Sequence, residues 1–454
     1  MAKVKDFFKT IFTAINKYWR LAGLYALKFF KKYYLIIAMV LVTIVALIAR
    51  YCFVTYPSGD SVWFILDGWE NDIRYMGFSS FWQVDSDYSP IYLFMLALLL
   101  LIPDGKQISI SLYGTTYTFF ENRMIALKTV YFLFTVAAAF AIYLIVKLLT
   151  KSKGKGVIAY CITLALPTLF VNSALWGNSD IIYVTFLLYS VYFFLKGTKY
   201  SDIFAYMFLG FAFANKMQTI FIMPFVIYFI VRRKAKLYRV IYAFLAFFIT
   251  LVPCYFCGAG FLDPFAYLAK QFNGYNNLSL GAATIWKFLE LQDAEMVKKY
   301  ATWISVLLVG VMLVIVYFRN IKLEDKHASF KVFFLLTMTT AFVLPRLHER
   351  YFLLIEILTI VYAIIDKKKW YLPVLSQVGG AICYYHYMTG YKHYIIESWG
   401  EATVTIASVL NLIILGIAFI DVMKLDHKDG FKEDIEQIDS EIKEIQEPKN
   451  TENQ

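Results

Sequence analysis

The residues best suited to chemistry begin in the stretch YPSGDSVWFILDGWENDIRYMGF, residues 56–78. Asp60 follows a turn-forming Pro-Ser-Gly sequence. It precedes residues 61–77, whose apolar side chains recur every three to four positions, the pattern of an amphipathic helix at a membrane interface. Its carboxylate has two interpretations. It could cap that helix by accepting backbone N–H groups, or it could act as a general base that takes a proton from a hydroxyl.

Positive charge is concentrated in a second stretch, FVLPRLHERYFLL, residues 342–354. Arg346 and Arg350 could each bind a phosphate group through paired hydrogen bonds, and His348 could add a donor. Alternatively, Glu349 could pair with either arginine in a closed ionic cluster. A phosphate bound on the outer side of a membrane has no cytoplasmic nucleotide pool to come from, so we expect it to belong to a lipid.

Further polar and aromatic residues stand where apolar runs begin or end. Asp85-x-Asp87 could hold a metal ion, although two acids in a polar loop are a weak signal, and we predict no metal. Asp180 could merely cap the next helix, and Trp176 could merely anchor the interface. We predict that the substrate contacts Asp87, Tyr88, Trp176, Asp180, Lys216, Gln218, Trp286 and Glu349.

Helices in a membrane must position these residues. Of the 454 residues, 60% are hydrophobic, and they occur in blocks separated by short polar loops. Barrel strands would alternate in polarity, so the blocks indicate helices. We predict an all-α polytopic membrane protein of about twelve to thirteen transmembrane helices, with an interfacial helix in the first outer loop. The apolar segments are 34–54, 90–103, 123–149, 157–175, 181–195, 202–214, 219–231, 238–260, 302–318, 330–345, 351–365, 370–388 and 402–422.

The net charge of +11 indicates membrane topology rather than nucleic-acid binding. Lys and Arg cluster in short loops such as KSKGKG (151–156), RRKAK (232–236) and DKKKW (366–370), which the positive-inside rule places in the cytoplasm. The loops with the candidate residues, including WGNSD (176–180) and PRLHERY (345–351), are then outside. Active-site chemistry is accordingly predicted on the outer face of the cell membrane.

One segment conflicts with this alternation. If segments 90–103 and 123–149 both crossed the membrane fully, KSKGKG would also lie outside. Segment 90–103 is short, so it is either re-entrant or followed by an extra partial crossing within 104–122. The sequence leaves both interpretations open.

Three regions follow from the charge pattern. Residues 1–33 form a basic amphipathic segment predicted on the inner leaflet, with no cleavable signal peptide. Residues 34–423 form the catalytic membrane domain. Residues 424–454 form a charged cytoplasmic tail, either a short helix or disordered.

The motifs SGD, DYSPIYLF, WGNSD, FANKMQ, NLSLGAATIW and LPRLHERY occur in this order within residues 55–355. The ordered set resembles the polytopic GT-C glycosyltransferases, especially bacterial relatives of the second mannosyltransferase of GPI-anchor synthesis. The dolichol-linked glucosyltransferases of N-glycan assembly are similar but more distant. This chain has Ser89-Pro90-Ile91 where the family usually has a doubled proline, Asn178 where it commonly has glutamine, and alanine and threonine in LGAATIW where it has an asparagine-containing segment. The departures weaken any inference about which sugar is bound.

The resemblance implies an inverting enzyme that moves a hexose, such as mannose or glucose, from a polyprenyl-phosphate carrier to an acceptor hydroxyl. Carried onto this sequence, Asp60 would be the base, with Asp67 and Asp87 as alternatives. Arg346, His348 and Arg350 would lie near the donor phosphate. Because fixed positive charge can stabilise the departing phosphate, no cofactor is expected.

The expected partners are a lipid-linked sugar, a glycan, glycolipid or polymer acceptor of the cell envelope, and membrane lipids, but no nucleic acid. A composition rich in Lys, Ile and Asn favours a bacterial plasma membrane and therefore an undecaprenyl carrier. The alternative function is a transporter or flippase for lipid-linked sugars. Transporters usually place ionisable groups near the bilayer midplane, whereas the acids here lie mainly in outer loops, so the enzyme is preferred.

Overall fold

The computed structural model describes residues 2–58, 60–112, 115–273, 277–289, 295–388 and 400–426. The chain is 78% helical, and its strands form one hairpin. The fold is therefore the all-α polytopic membrane architecture that the sequence predicts. Its helices are α1 Ala2–Tyr51, α2 Asn71–Met76, α3 Pro90–Leu99, α4 Glu121–Thr150, α5 Lys153–Ala165, α6 Pro167–Phe170, α7 Asp180–Lys196, α8 Ser201–Asn215, α9 Met223–Val231, α10 Ile241–Phe256, α11 Ala266–Asn273, α12 Glu295–Phe318, α13 Lys326–Val343, α14 Leu353–Ile365, α15 Tyr371–Met388 and α16 Gly400–Met423, and its strands are β1 Gln107–Leu112 and β2 Thr115–Phe120.

Long apolar helices dominate the bundle. Each apolar segment predicted from the sequence coincides with a helix. Within the described residues, five helices are long and apolar enough to cross a membrane, and α5 together with the segment from Pro167 to Trp176 meets the same criterion but is bent by 53°. The bend falls at Pro167, the first residue of α6, because proline cannot donate the hydrogen bond that would continue α5.

The helices run between two ends of the bundle. The basic end contains the cationic loops, where Lys234 lies 2.7 Å from Glu324 and Lys369 lies 3.0 Å from Asp421. Helix α7 shows that the shorter helices also connect both ends. Its last residue, Lys196, offers its carbonyl to Lys326 at 3.1 Å in the basic end. Its first residue belongs to the opposite end, which is called the site end below.

The segment from α3 to α4 contains the stretch whose topology the sequence leaves open. Strands β1 and β2 pair antiparallel, with Gln107 opposite Phe120, so the chain reverses between α3 and α4. Asp104, which precedes the strands, binds Arg74 at 3.0 Å and Arg123 at 2.5 Å. Both ends of the 71–123 segment therefore lie together. Helix α4 carries the chain to the basic end, where the carbonyl of Leu149 contacts His327.

The segment after Asp60 lies on the bundle much as its periodicity predicts. Residues 60–70 form a π-helical turn that continues into α2, and Val62, Leu66 and Ile73 are buried. Glu70, a charged residue between the apolar positions of this helix, is buried as well and lies 3.6 Å from Arg123. Burial raises the pKa of Glu70, although the charge of Arg123 acts in the opposite direction.

The centre of the bundle is formed by α13 and α14. Side chains from Ala328 to Val343 are almost all buried on every face of α13, as expected of a helix surrounded by others. Helix α1 is different. It runs without a break through residue 33, its side chains are mostly exposed, and it packs chiefly on α5.

The predicted roles of the termini stay predictions. Residues 427–454 of the tail and 391–399 of the last outer loop lie outside the described residues.

Candidate active site

Asp60 is turned toward the bundle because another residue caps its helix. The hydroxyl of Ser58 accepts a hydrogen bond from the backbone N–H of Ser61 at 3.1 Å, which is the role that Asp60 could have taken. The carboxylate of Asp60 instead accepts a hydrogen bond from the side-chain amide of Asn178 at 3.1 Å. Ser58 also donates to the carbonyl of Trp176, which fastens this loop to the one before α7.

Arg350 lies between three carboxylates. Its Nη1 is 2.8 Å from Glu349 and 3.7 Å from Asp60, and its Nε is 3.3 Å from Asp180. Its guanidinium also lies 5.4 Å from the ring centre of Trp176. Burial disfavours the charged guanidinium, but the three carboxylates prevail and hold the pKa of Arg350 well above its usual range. Arg350 therefore stays a cation and is engaged by the protein's own acids.

Asp180 and Lys216 form the most buried ion pair of the site. Lys216 Nζ lies 2.5 Å from Asp180 Oδ1, and Asn172 donates to Oδ2 of the same carboxylate at 3.3 Å. Lys216 also lies 4.8 Å from the ring centre of Tyr88 and 5.5 Å from that of Tyr351. Burial acts to lower the pKa of Lys216, but the adjacent carboxylate raises it overall. Lys216, a cation in a loop that the positive-inside rule places outside, thus neutralises a buried acid.

The cluster carries an excess of negative charge. Three carboxylates, Asp60, Asp180 and Glu349, face two cations, Lys216 and Arg350, when His348 is counted as neutral. Asp60 is 8% exposed, whereas Glu349 is 2% and Asp180 0% exposed. The acid most accessible to a substrate is therefore Asp60.

A second loop holds the PRLHERY stretch in place. Leu280 donates its N–H to the carbonyl of Leu347 at 3.0 Å, and the N–H of Arg346 reaches the carbonyl of Leu278 at 2.9 Å. Gly281 adopts φ = +81° beside the side chain of Glu349, a conformation that favours glycine. This pairing fixes the backbone from which the cationic side chains extend.

His348 and Arg346 are only half-buried, in contrast to Arg350. His348 Nδ1 lies 3.6 Å from Glu349 Oε2. Burial would raise the pKa of Glu349, but the neighbouring His348 and the charge of Arg350 lower it. Glu349 is therefore ionised and forms the ionic pair with Arg350 that the sequence offered as an alternative.

Residues of the WGNSD loop, which the sequence places on the outer side of the membrane, are buried. Trp176 and Asp180 are almost completely covered, as is Asn178 between them. The reason is that Arg350 and Lys216 reach them from distant loops and replace water as partners. These residues form the inner wall of the site.

Other predicted residues lie beside the cluster or away from it. Asp85 is exposed and pairs with Lys270 rather than with a residue of the cluster. Trp286 is buried and donates to the carbonyl of Val343 at 2.5 Å, at the end of α13. The remaining predicted residues are half-buried: Asp67 in the π-helical turn, Asp87 next to Tyr88, and Gln218 in the turn before α9.

No group of three or more His, Cys, Asp or Glu side chains suited to a metal ion occurs among the residues described. The expectation of a metal-free reaction stays a prediction.

Some residues of the site were not predicted from the sequence. Asn172 supports Asp180 from the turn after α6, and Lys128 donates to the carbonyls of Tyr56 and Leu175, next to the loops of Asp60 and Asn178. Lys128 had a detectable signal, because a charged residue inside an apolar run is usually functional or paired. Asn172 had none, since an uncharged amide near a helix end is common.

One family is similar to part of the chain. A sequence profile of the family described as dolichyl-phosphate-mannose-protein mannosyltransferase matches residues 112–256. No curated protein matches the chain. The profile match spans Asn178, Asp180 and Lys216, whereas Asp60 and Arg350 lie outside it. The match supports an enzyme of the GT-C glycosyltransferase superfamily that uses a polyprenyl-phosphate sugar and resides in the membrane with several spans.

Proposed function

We propose that this GT-C glycosyltransferase moves a hexose from a polyprenyl-phosphate carrier, with inversion, to a hydroxyl group of a cell-envelope glycan, glycolipid or polymer on the outer face of the membrane. The observation that carries the proposal is the position of Asp60 beside Arg350, 3.7 Å apart at the end of the bundle opposite the basic loops. The positive-inside rule supports the outer face for that end.

Asp60 acts as the general base in this reaction. The acceptor oxygen attacks the anomeric carbon while the bond from that carbon to the phosphate oxygen breaks. The polyprenyl phosphate leaves with the bonding electrons, and the hydroxyl proton passes to Asp60. A single displacement of this kind inverts the anomeric centre.

The cations of the PRLHERY loop have separate roles. Arg350 is engaged by three carboxylates, so it positions Asp60 rather than binding the phosphate. Arg346 is half-buried, and it forms no ion pair with any carboxylate among the residues described. We assign Arg346, with His348, to the donor phosphate, where positive charge would stabilise the leaving group.

The decisive experiment compares two Asp→Asn variants in purified protein reconstituted in lipid vesicles. Asp60→Asn preserves the shape of the side chain but cannot take up the proton, so transfer of labelled hexose should fall about 10²–10⁴-fold. Asp85→Asn is the matched control, because Asp85 is exposed and pairs with Lys270. Its activity should stay within about twofold of the wild type, since exposed ion pairs contribute little.

Two results would contradict the assignment. Activity of Asp60→Asn near the wild-type level would exclude Asp60 as the base, and a large loss in Asp85→Asn would favour a metal-dependent site around that acid. Supplying the donor to one leaflet of oriented vesicles tests the outer-face part separately. Product formed only from the leaflet on the basic side would overturn that part alone.

A further inference from the structure

We propose that a crevice between α1, α4 and the turn after α6 binds the phosphate group of a membrane lipid. The crevice has a cavity volume of about 30 Å³ and is partly open to its surroundings. Its walls include Leu47, Arg50, Tyr51, Lys128, Phe132 and Ser173. None of these residues forms an ion pair with the Asp60–Arg350 cluster, and Lys128 supports the neighbouring loops through their backbone carbonyls. The proposal does not depend on the catalytic assignment.

Arg50 provides the first cation, in the last turn of α1. It is 6% exposed, and its Nη atoms make long hydrogen bonds to the carbonyls of Ala46 at 3.4 Å and Leu164 at 3.3 Å. Its Nε is buried without a hydrogen-bond partner. The guanidinium also lies 5.1 Å from the ring centre of Phe170 and 5.6 Å from that of Phe132. The guanidinium of Arg50 is thus buried with one donor left without a hydrogen bond.

Lys128 provides the second cation, from α4. It is 4% exposed, and its ammonium donates to the carbonyls of Tyr56 at 2.6 Å, Phe53 at 3.2 Å and Leu175 at 3.4 Å. These three bonds use all its donors, so Lys128 contributes charge rather than a free hydrogen bond.

Neither cation is balanced by an acid. No ion pair formed among the described residues includes Arg50 or Lys128. Two buried positive charges without a counter-charge are costly in an apolar environment, typically several kcal/mol for each ion. An anion bound in the crevice would remove much of that cost.

A lipid phosphate fits the crevice in charge and in location. A guanidinium binds phosphate oxygens well, and one phosphate group carries the opposite charge to the two cations. Leu47 and Tyr51, at the opening, are exposed apolar side chains, and Ile44 and Ile48 continue that exposed apolar surface along α1. A hydrocarbon chain can lie on this surface while its phosphate reaches Arg50. A soluble anion would make no use of the surface.

Native mass spectrometry of the delipidated protein tests the proposal. The probes are undecaprenyl phosphate, phosphatidylglycerol and the phosphate-free alcohol undecaprenol. The wild type should bind one or both phosphate lipids, and undecaprenol at least about tenfold more weakly, because the alcohol lacks the charge. Preference for undecaprenyl phosphate would identify the carrier as the occupant, and preference for phosphatidylglycerol would identify a bilayer lipid. Either preference supports a phosphate-lipid site.

The variant Arg50→Gln should lose one bound phosphate lipid or weaken its binding at least about tenfold. Lys147→Gln is the matched control, a half-buried cation of the same helix as Lys128 but near the basic end, and it should bind like the wild type. Arg346→Gln affects the proposed donor site and should retain the lipid in this crevice, which separates the two sites.

A second variant keeps the test valid if Arg50→Gln folds poorly. Thr129 is an exposed residue of the crevice wall, so Thr129→Trp should fold normally and block the opening. Wild-type binding of phosphate lipids by a folded Thr129→Trp or Arg50→Gln protein would overturn the proposal. Equal binding of undecaprenol and undecaprenyl phosphate would do the same.

Discussion

The guanidinium of Arg350 joins Asp60 to Asp180, with its Nη1 atom 3.7 Å from the first carboxylate and its Nε atom 3.3 Å from the second. The loop after α1 is in this way tied to a fully buried acid at the start of α7. An arginine suits this arrangement, because its guanidinium offers donors on separate nitrogen atoms in a fixed plane, whereas all donors of a lysine extend from one nitrogen.

Arg350→Lys should therefore lower kcat about 10²-fold, since a small displacement of Asp60 is enough to misalign it. The KM for the donor should change little, because Arg350 does not bind the phosphate in this scheme. Steady-state transfer assays with varied donor distinguish the two parameters. A rise in KM at unchanged kcat would instead place Arg350 at the donor phosphate.

Arg346→Gln should show the opposite pattern. Loss of a charge-assisted hydrogen bond to phosphate corresponds to about tenfold to a hundredfold weaker binding. We expect that loss in the KM for the lipid-linked sugar, with Arg346→Lys partly restoring it. The same assays would count against the assignment if both variants matched the wild type.

The pair of Lys216 and Asp180 lends itself to a double-mutant cycle. Lys216→Met leaves Asp180 buried without its closest cation, which should destabilise the protein by about 3–5 kcal/mol. Asp180→Asn should be destabilising for the converse reason. The double variant should be more stable than the sum of the single losses predicts, because neither charge is then left alone. Thermal unfolding in detergent measures this, and strictly additive losses would show that the pair is not coupled.

Two glycines should differ in their tolerance of alanine: Gly177, in the loop before α7, and Gly281, in the loop that pairs with PRLHERY. Gly177 has φ = +67°, and a Cβ there would lie 3.0 Å from Lys128 Cε and 3.2 Å from Ser61 Cβ. Gly281 has φ = +81°, but its Cβ would meet Glu349 only at 3.5 Å, an ordinary contact. Gly281→Ala should cost about 1–2 kcal/mol from the backbone, and Gly177→Ala should cost more. Gly310, in α12, serves as a neutral control, because a Cβ at that position would meet no neighbouring atom within 4 Å.

Stability at acid pH should depend on Glu349. The pKa of Glu349 is lower in the folded protein than its ordinary value of 4.5. A depressed carboxyl pKa contributes stability above the unfolded value, and that contribution disappears as the pH falls through the folded value. The melting temperature of the wild type should therefore decline below about pH 4.5. Glu349→Gln should melt lower at neutral pH yet decline less steeply, and parallel curves for both proteins would contradict this.

The helices could be predicted from the sequence because apolar runs of membrane length determine them locally. The position of α3 could not be predicted, because it depends on contacts between residues far apart in the chain, such as those of Asp104 with Arg74 and Arg123. The sequence also left open which residue caps the start of the π-helical turn. Ser58 and Asp60 are two residues apart, and either could cap; only the packing of Asn178 against Asp60 separates them.

The sequence predicts which residues belong to the charged cluster better than it predicts how they are arranged. Lys216 was conspicuous because it violates the charge asymmetry of the loops, but its partner lies 36 residues away in the chain. Trp176 and Asn178 were expected in water because polar residues at helix ends usually face it. Arg350 covers Trp176 from a loop far along the sequence, and Asn178 donates to Asp60, so local patterns carry no information about these contacts.

The attachment of Asp60 to α1 has a consequence for the surrounding lipid. Helix α1 packs chiefly on α5 and is otherwise exposed, whereas Arg350 precedes α14 in the buried centre of the bundle. Single helices respond to the thickness of the hydrocarbon layer by tilting. A tilt of α1 would shift Asp60 against a stationary Arg350, so sugar transfer should be fastest at one bilayer thickness and slower in both thinner and thicker membranes.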